Sequence, residues 1–139
     1  YKCSRFYNSA HNSQSRCLSS SLPIHDSGAT NTICRQSDSH ILSNTKVGGG
    51  MNVGLPNGNV IKSIATGILS TPPISTAVHI FSDQDLHRSL LATADFCNQG
   101  CTATFTSTSA TIIHDATGKI ISRTSKEPTA RLWPFDFSL

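Results

Sequence analysis

With 139 residues, the chain is long enough for one domain with a modest core. Eleven Lys and Arg against eight Asp and Glu give a formal net charge of +3, spread without a basic run, which argues against nucleic acid as a partner. No apolar stretch approaches the roughly 18 residues that cross a membrane, so no membrane partner is expected either. Abundant Ser and Thr, with recurring Gly and Pro, favour short strands and turns over long helices.

Residues 1–21 are polar, Ser-rich and without clear periodicity, so we expect a flexible lead-in or linker there and a folded domain over 22–139. The start lacks the apolar segment of a secretory signal, and the five cysteines are therefore expected to stay reduced in the cytosol. Since the first residue is not Met, we also expect the chain to be a piece of a longer protein.

From Leu22 onward, apolar clusters alternate with turn signals about every 8–12 residues, which is typical of an all-β protein. The clearest hairpin is MNVGL-PNGN-VIKSI (51–64), in which Asn57-Gly58 supplies the positive φ of a tight turn. The glycine run at 48–50 suggests a phosphate-binding loop, but the required Lys-Ser/Thr and following helix are missing. A flexible connection into the hairpin is the preferred interpretation, and the run is a second choice for the tip of a mobile flap.

One segment has helical rather than strand spacing. Its apolar residues recur every three or four positions: Leu86, Leu90, Ala94 and Cys97. The pattern predicts the chain's one helix over 84–98, ambiguous in its N-terminal half, with Gly100 as C-cap. Asp83, Asp85 and Asp95 are candidate acids, and the first two are better explained as N-terminal caps.

The histidines and cysteines do not predict a metal site. Cys3, His11 and Cys17 resemble part of a zinc knuckle, but the spacing between His11 and Cys17 is wrong and a fourth ligand is missing. Cys97 and Cys101 are interpreted as two buried thiols that act as small apolar residues.

Asp26 stands in LPIHDSGATNTIC (22–34), and Asp-Ser-Gly alone is a common turn sequence. It arises by chance in about one chain of this length in twenty, so a turn Asp that bonds its own backbone is a real alternative. The apolar residues before it predict a strand that delivers Asp26 to a loop. Gly28 and Ala29 then permit another backbone to come close.

Three motifs in order resemble the retropepsin-like aspartic proteases of copia-type LTR retrotransposons. Asp-Ser-Gly-Ala-Thr (26–30) resembles their active-site loop, and LPNGNVIKSIATGIL (55–69) resembles their flap region. SLLATADFCNQGCTATF (89–105) resembles their second loop, short C-terminal helix and following strand. Ala92 stands where retroviral relatives have Gly and copia-type relatives often have Ser, and His25 is less apolar than is usual at its position.

RLWPFDF (131–137) resembles the junction to the next segment of such a polyprotein. Trp133 and Phe135 within it could form a peptide-binding patch. We prefer to interpret them as an aromatic closing segment packed on the domain or its partner.

The resemblance implies a small, closed, barrel-like all-β fold with one short C-terminal helix. It also implies an aspartic endopeptidase that cleaves its own retroelement polyprotein, within a cytoplasmic virus-like particle and without cofactor or metal. Peptide hydrolysis by two carboxylates needs them about 3 Å apart and sharing a proton. Since the chain has one Asp-Ser/Thr-Gly, the second Asp26 must come from another copy, so a homodimer is expected, with an extended peptide as the other partner.

The resemblance assigns roles to four groups of residues. Asp26 is catalytic. The rest comprise the loop support (Ser27, Gly28, Ala29, Thr30), the flap that binds substrate (Pro56, Asn57, Gly58, Asn59) and the second loop behind the active site (Leu90, Leu91, Ala92).

An alternative belongs to another class of protein. The chain could be a non-catalytic module, derived from a retroelement protease, that associates with itself into dimers or filaments through exposed edge strands.

Overall fold

The computed structural model describes residues 22–127 and 133–135, so the predicted lead-in at 1–21 and the Cys3, His11 and Cys17 set lie outside the described residues. Within this part of the chain are eleven strands, a 3₁₀-helix (Gln36–Ile41) and a short α-helix, α1 (Thr93–Cys97). The strands are β1 (Ile24–Asp26), β2 (Ile33–Arg35), β3 (Ser43–Val47), β4 (Asn52–Gly54), β5 (Val60–Lys62), β6 (Ala65–Thr71), β7 (Ile74–Phe81), β8 (Leu90–Ala92), β9 (Cys101–Phe105), β10 (Ser109–His114) and β11 (Ile120–Ser125).

The strands form three sheets. Six strands are ordered β1-β8-β2-β7-β6-β3, three are ordered β11-β10-β9, and β4 and β5 pair as a hairpin. The pairs β1–β8 and β2–β7 are parallel, whereas β6–β7 and the smaller sheets are antiparallel. The all-β prediction is confirmed. The closed barrel is not: in the described residues the edge strands β1 and β3 of the large sheet do not pair with each other, so the sheet stays open.

The core lies on the alternating faces of these strands. In β7, Ile74, Thr76 and Val78 are buried while Ser75 and Ala77 are exposed, the period of two expected for a strand with one face on a core. Each fully buried aliphatic or aromatic side chain stabilises the fold by about 1.5–3 kcal/mol. The main cluster comprises Cys34, Leu69, Ile74, Val78, Leu91, Phe96, Cys101, Ile112, Ile121 and Phe135.

The helix predicted over 84–98 is wrong for its N-terminal part. Residues 90–92 form β8, which lies parallel to β1, and only Thr93–Cys97 is α-helical. The end was predicted correctly, because Gly100 adopts a φ of +86° and donates its N–H to the Cys97 carbonyl. Pairing with β1 satisfies the backbone of β8 and overrides a periodicity that a buried strand and a helix share over so few residues.

The acidic residues before β8 are therefore not caps of an α-helix. Asp83 accepts the backbone N–H of Ser37 at 2.9 Å, in the first turn of the 3₁₀-helix, 46 residues earlier in the chain. Asp85 lies exposed in a turn. Asp83 thus satisfies an orphan donor at a helix start, but of a different helix from the one predicted.

The predicted β4–β5 hairpin is confirmed. The Gly58 N–H donates to the Leu55 carbonyl at 2.9 Å, and the Leu55 N–H donates to the Asn59 carbonyl at 2.8 Å. Gly58 has a φ of +87°. This is a turn closed by a residue in the left-handed region, where glycine carries no Cβ penalty. The run at 48–50 connects β3 to β4, and because a strand follows it rather than a helix, the phosphate-loop interpretation fails.

No helix in the described ranges is long and apolar enough to cross a membrane.

Candidate active site

Asp26 is the last residue of β1, and its neighbours across the parallel ladder belong to β8. Ile24 is opposite Leu90, His25 is opposite Leu91 and Asp26 is opposite Ala92. The structure thus brings together two of the groups that the resemblance singled out, the Asp-Ser-Gly loop and the Leu-Leu-Ala segment. Because residue 92 is an alanine that is fully buried, it packs behind Asp26 without adding a polar group.

The Asp26 loop, residues 27–32, begins with a turn that uses one carboxylate oxygen. The Gly28 N–H donates to Asp26 Oδ1 at 2.9 Å, and the Ala29 N–H lies 3.4 Å from the Asp26 carbonyl oxygen. This is what the turn-Asp alternative predicts, and it is equally compatible with catalysis. Oδ2 receives no hydrogen bond from any residue in the described ranges, and Asp26 is half-buried, so one oxygen is accessible to water.

The other loop-support residues lie at the surface. Ser27, Gly28 and Thr30 are exposed, and the Thr30 hydroxyl accepts a hydrogen bond from the side chain of Asn31. A Cβ added at Gly28 would lie 3.4 Å from Asp26 Oδ1, in ordinary contact, so glycine there keeps that side of the carboxylate uncovered. The first residues of the loop and the Asp26 carboxylate therefore lie at the surface, where another molecule can contact them.

The far end of the loop is held by a residue that the sequence did not single out for this role. The Thr32 N–H and hydroxyl both donate to Asp95 Oδ2, at 3.0 and 2.7 Å, and the Thr32 hydroxyl accepts the Ala92 N–H at 3.1 Å. Asp95 was considered only as a possible catalytic acid. The two residues are 63 positions apart, and no local spacing signals the contact.

His25 points to the other side of β1, into the core. It is 5% exposed, with its ring centroid 5.1 Å from that of Phe135 and 5.9 Å from that of Phe105. Burial lowers the pKa of His25 from 6.5 to about 4, because the charged imidazolium would lose its hydration.

Among the described residues, one polar side chain lies near the buried imidazole. His25 Nε2 lies 3.4 Å from the hydroxyl of Ser122, and Nδ1 has no partner among the described residues. Ser122 is fully buried, so no substrate reaches its hydroxyl. A serine nucleophile activated by this histidine is therefore excluded for this conformation.

The closing segment, residues 133–135, lies along the free side of β1. The His25 N–H donates to the Trp133 carbonyl at 2.9 Å, and the Phe135 N–H donates to the Pro23 carbonyl at 2.6 Å. Phe135 is fully buried and stacks on Phe96, with centroids 5.6 Å apart. The interpretation of this segment as an aromatic piece packed on the domain is confirmed, and β1 is held from both sides.

The predicted flap residues occupy the turn of the β4–β5 hairpin. Pro56, Asn57, Gly58 and Asn59 are all exposed. Val60, which follows them, is 67% exposed, so the hairpin offers an uncovered apolar side chain. Within the described residues no hydrogen bond joins this turn to the Asp26 loop.

The three thiols in the described part of the chain, those of Cys34, Cys97 and Cys101, do not form a second site. Cys34 and Cys101 are buried and burial raises the pKa of both, that of Cys34 to about 11, which disfavours the reactive thiolate. The prediction that Cys97 and Cys101 are both buried is wrong for Cys97, which is exposed at the end of α1. Over the described part of the chain no three His, Cys, Asp or Glu residues are grouped to hold a metal ion.

No protein-family model matches the chain, and no curated protein matches it in sequence.

Proposed function

We propose that the chain is a homodimeric aspartic endopeptidase of the retropepsin-like class, which cleaves its own retroelement polyprotein inside a cytoplasmic particle. One observation carries the proposal. Asp26 ends a buried strand and opens an exposed loop, with Oδ1 fixed by the Gly28 N–H and Oδ2 without a partner among the described residues. A carboxylate held in this way is oriented and still open to water.

The chemistry requires a second carboxylate. Two Asp26 side chains about 3 Å apart cannot both ionise, so one stays protonated. The ionised one takes a proton from water as that water attacks the scissile carbonyl carbon, and the protonated one donates a hydrogen bond to the carbonyl oxygen. The exposed Ser27 and Gly28 beside Asp26 leave the loop free to meet its copy across a two-fold axis.

The hairpin provides a means of holding substrate. Its exposed turn, including Gly58, would close over an extended peptide, and the peptide would pair with strand edges through main-chain hydrogen bonds. Val60, uncovered on β5, is available for an apolar substrate side chain.

The first test measures cleavage of a proteome-derived peptide library at pH 5 and pH 7, with products identified by mass spectrometry. We expect Asp26→Asn to reduce cleavage by about a thousandfold or more, since the amide keeps the Gly28 contact but cannot ionise. Asp85→Asn, at an exposed turn residue, is the matched control and should cleave like the unmodified chain. Equal cleavage by Asp26→Asn and the unmodified chain would refute the proposal.

The dimer is tested by mixing. When Asp26→Asn is combined with an equal amount of the unmodified chain, about one quarter of randomly exchanged dimers contain two intact copies. Because the mixture contains twice as many dimers as the unmodified chain alone, its total activity should be about half of that of the unmodified chain. Unchanged activity means that one chain suffices and contradicts a shared site.

A second candidate function is supported by β3, which is an edge strand of the large sheet within the described residues. All five residues of β3 are exposed, and Val47 is 98% exposed, so an additional strand could pair there. A non-catalytic module that associates through this edge would form assemblies insensitive to Asp26→Asn. Replacement of Val47 by Lys would dissociate them, which sedimentation velocity detects.

A further inference from the structure

The Thr32 hydroxyl, close to the candidate site, both donates and accepts a hydrogen bond. Thr32 is 3% exposed, and the two neighbours of its hydroxyl at 2.7 and 3.1 Å are Asp95 Oδ2 and the Ala92 N–H. An ionised carboxylate only accepts and an N–H only donates, so the hydroxyl must donate to Asp95 and accept from Ala92. The direction of both hydrogen bonds is thereby fixed.

These bonds connect three elements that surround Asp26. Asp95 belongs to α1, Thr32 ends the Asp26 loop, and Ala92 is the residue of β8 that pairs with Asp26 itself. The loop is thus fixed at its start by the Gly28 N–H and at its end by Asp95. Neither Thr32 nor Asp95 is hydrogen-bonded to Asp26, so any influence on it passes through the loop and the strand.

The helix that carries Asp95 is itself tied to the large sheet. The Gln99 side-chain amide donates to the hydroxyl of Thr76 on β7 at 3.1 Å and to the Asp95 carbonyl at 3.0 Å. The Asp95 carboxylate is therefore presented from a fixed backbone. Its hydrogen bonds to Thr32 are charge-assisted, which makes them stronger than the neutral bonds around them.

We propose that Thr32 and Asp95 are positioning residues for Asp26. Together they fix the position and orientation of the Asp26 loop relative to β8. The Asp26 carboxylate then faces the two-fold axis of the proposed dimer. This rests on the proposed function for its catalytic consequence, but the positioning itself is a property of the single chain.

The test uses Thr32→Val, which keeps the shape of the side chain, removes the two hydrogen bonds of the hydroxyl and leaves the backbone N–H bond to Asp95. Thr32→Ser restores the hydroxyl. A matched control exists on another sheet, where the Thr102 hydroxyl donates to Asp115 at the same 2.7 Å. Kinetics are measured with the peptide cleaved fastest in the library, and thermal unfolding and sedimentation establish the folded, dimeric fraction.

We expect Thr32→Val to lower kcat per folded dimer by about ten- to a hundredfold with KM nearly unchanged, because small displacements of a reacting group cost this much. Thr32→Ser should recover most of the rate, and Thr102→Val should leave it unchanged. If Thr32→Val does not fold, Asp95→Asn, which keeps an acceptor but loses the charge, should still lower kcat several-fold. A normal kcat per folded dimer in the variant that folds overturns the proposal.

A second measurement separates this inference from the proposed function. Amide hydrogen exchange at Gly28 and Ala92 reports the loop without any cleavage, and we expect it to accelerate in Thr32→Val but not in Thr102→Val. If the unmodified chain does not cleave peptides and Gly28 exchange still responds to Thr32→Val, the protease proposal fails and the positioning stands. If the unmodified chain cleaves peptides while kcat and Gly28 exchange are normal in Thr32→Val, the positioning fails and the protease proposal stands.

Discussion

His25 and Phe135 lie with ring centroids 5.1 Å apart, tilted by 49°, directly behind the strand that ends in Asp26. The contact joins the residue before the candidate catalytic Asp to the closing segment. A titratable ring in this position links the stability of the site to pH.

Acid should destabilise the fold through His25. Its folded-state pKa of about 4 lies below the ordinary 6.5, so the unfolded chain binds more protons between these values and stability falls as pH decreases through that window. We expect a loss of about 3 kcal/mol between pH 7 and pH 4 from this group. His25→Leu should flatten the pH dependence measured by urea unfolding, at some cost at pH 7 because Ser122 loses a polar neighbour.

His40→Leu, at an exposed position, is the matched control for the removal of a histidine side chain. An equally steep loss of stability in His25→Leu would show that other groups govern acid unfolding. Assays of the proposed peptide cleavage at acidic pH should therefore include a measurement of stability at the same pH.

Removing one partner of the buried ion pair of Arg88 and Glu127 should lower the unfolding free energy strongly. Arg88 Nη2 lies 2.6 Å from Glu127 Oε1, and the side chains are only 4% and 13% exposed. Arg88 also donates through Nε to the Leu22 carbonyl at 2.6 Å. Glu127→Ala removes one charged partner of a buried guanidinium, so we expect a loss of about 3–5 kcal/mol in unfolding free energy.

Replacing both partners by apolar residues, Arg88→Met with Glu127→Leu, should cost less than Glu127→Ala alone, since the buried guanidinium is removed together with the carboxylate. Arg123→Ala, at an exposed position of β11, controls for the loss of a positive charge. A double variant less stable than the single one would contradict this account of the pair.

The β4–β5 hairpin should tolerate alanine at Gly54 in β4 but not at Gly58 in the turn. Gly58 has a φ of +87°, so Gly58→Ala should cost about 1 kcal/mol and raise KM for peptides if the hairpin closes over substrate. Gly54, in β4 of the same hairpin, has no positive φ and open space around it, and Gly54→Ala is the control. Thermal unfolding and peptide kinetics compare the two, and equal effects would rule out backbone strain as the cause.

The packing of the closing segment should depend on the ring of Phe135. Phe135 is fully buried against Phe96, and Phe135→Ala should lower the unfolding free energy by about 3–5 kcal/mol. The His25 N–H, which donates to Trp133, should exchange with solvent faster in this variant. Val47→Ala, at a 98% exposed position, should change neither stability nor exchange.

Local chemistry was predictable and long-range pairing was not. The hairpin around Gly58 and the turn after Asp26 follow from residues that favour particular φ values, which need no partner elsewhere in the chain. The segment at 90–92 was misassigned because Leu86 and Leu90 fit a helix as well as a buried strand, and only the presence of β1 decides between them.

The candidate site was predictable only in part. Asp26 could be proposed as a candidate because its motif is contiguous. The contact of Thr32 with Asp95 could not, because it arises where two chain segments 63 residues apart are brought together by β8 and α1. The burial of His25 is likewise set by Phe105 and Phe135, which lie on distant elements.

The position of β1 also determines when the site can form during synthesis. The two segments that pair with β1 in the described part of the chain lie far downstream: β8 begins at Leu90, and the closing segment begins at Trp133. At a translation rate of about 5–20 residues per second, roughly 5–20 seconds separate the synthesis of Asp26 from that of Trp133. A nascent chain therefore carries Asp26 before β8 and the closing segment have been synthesised, and the proposed protease would stay inactive on the ribosome until both have emerged.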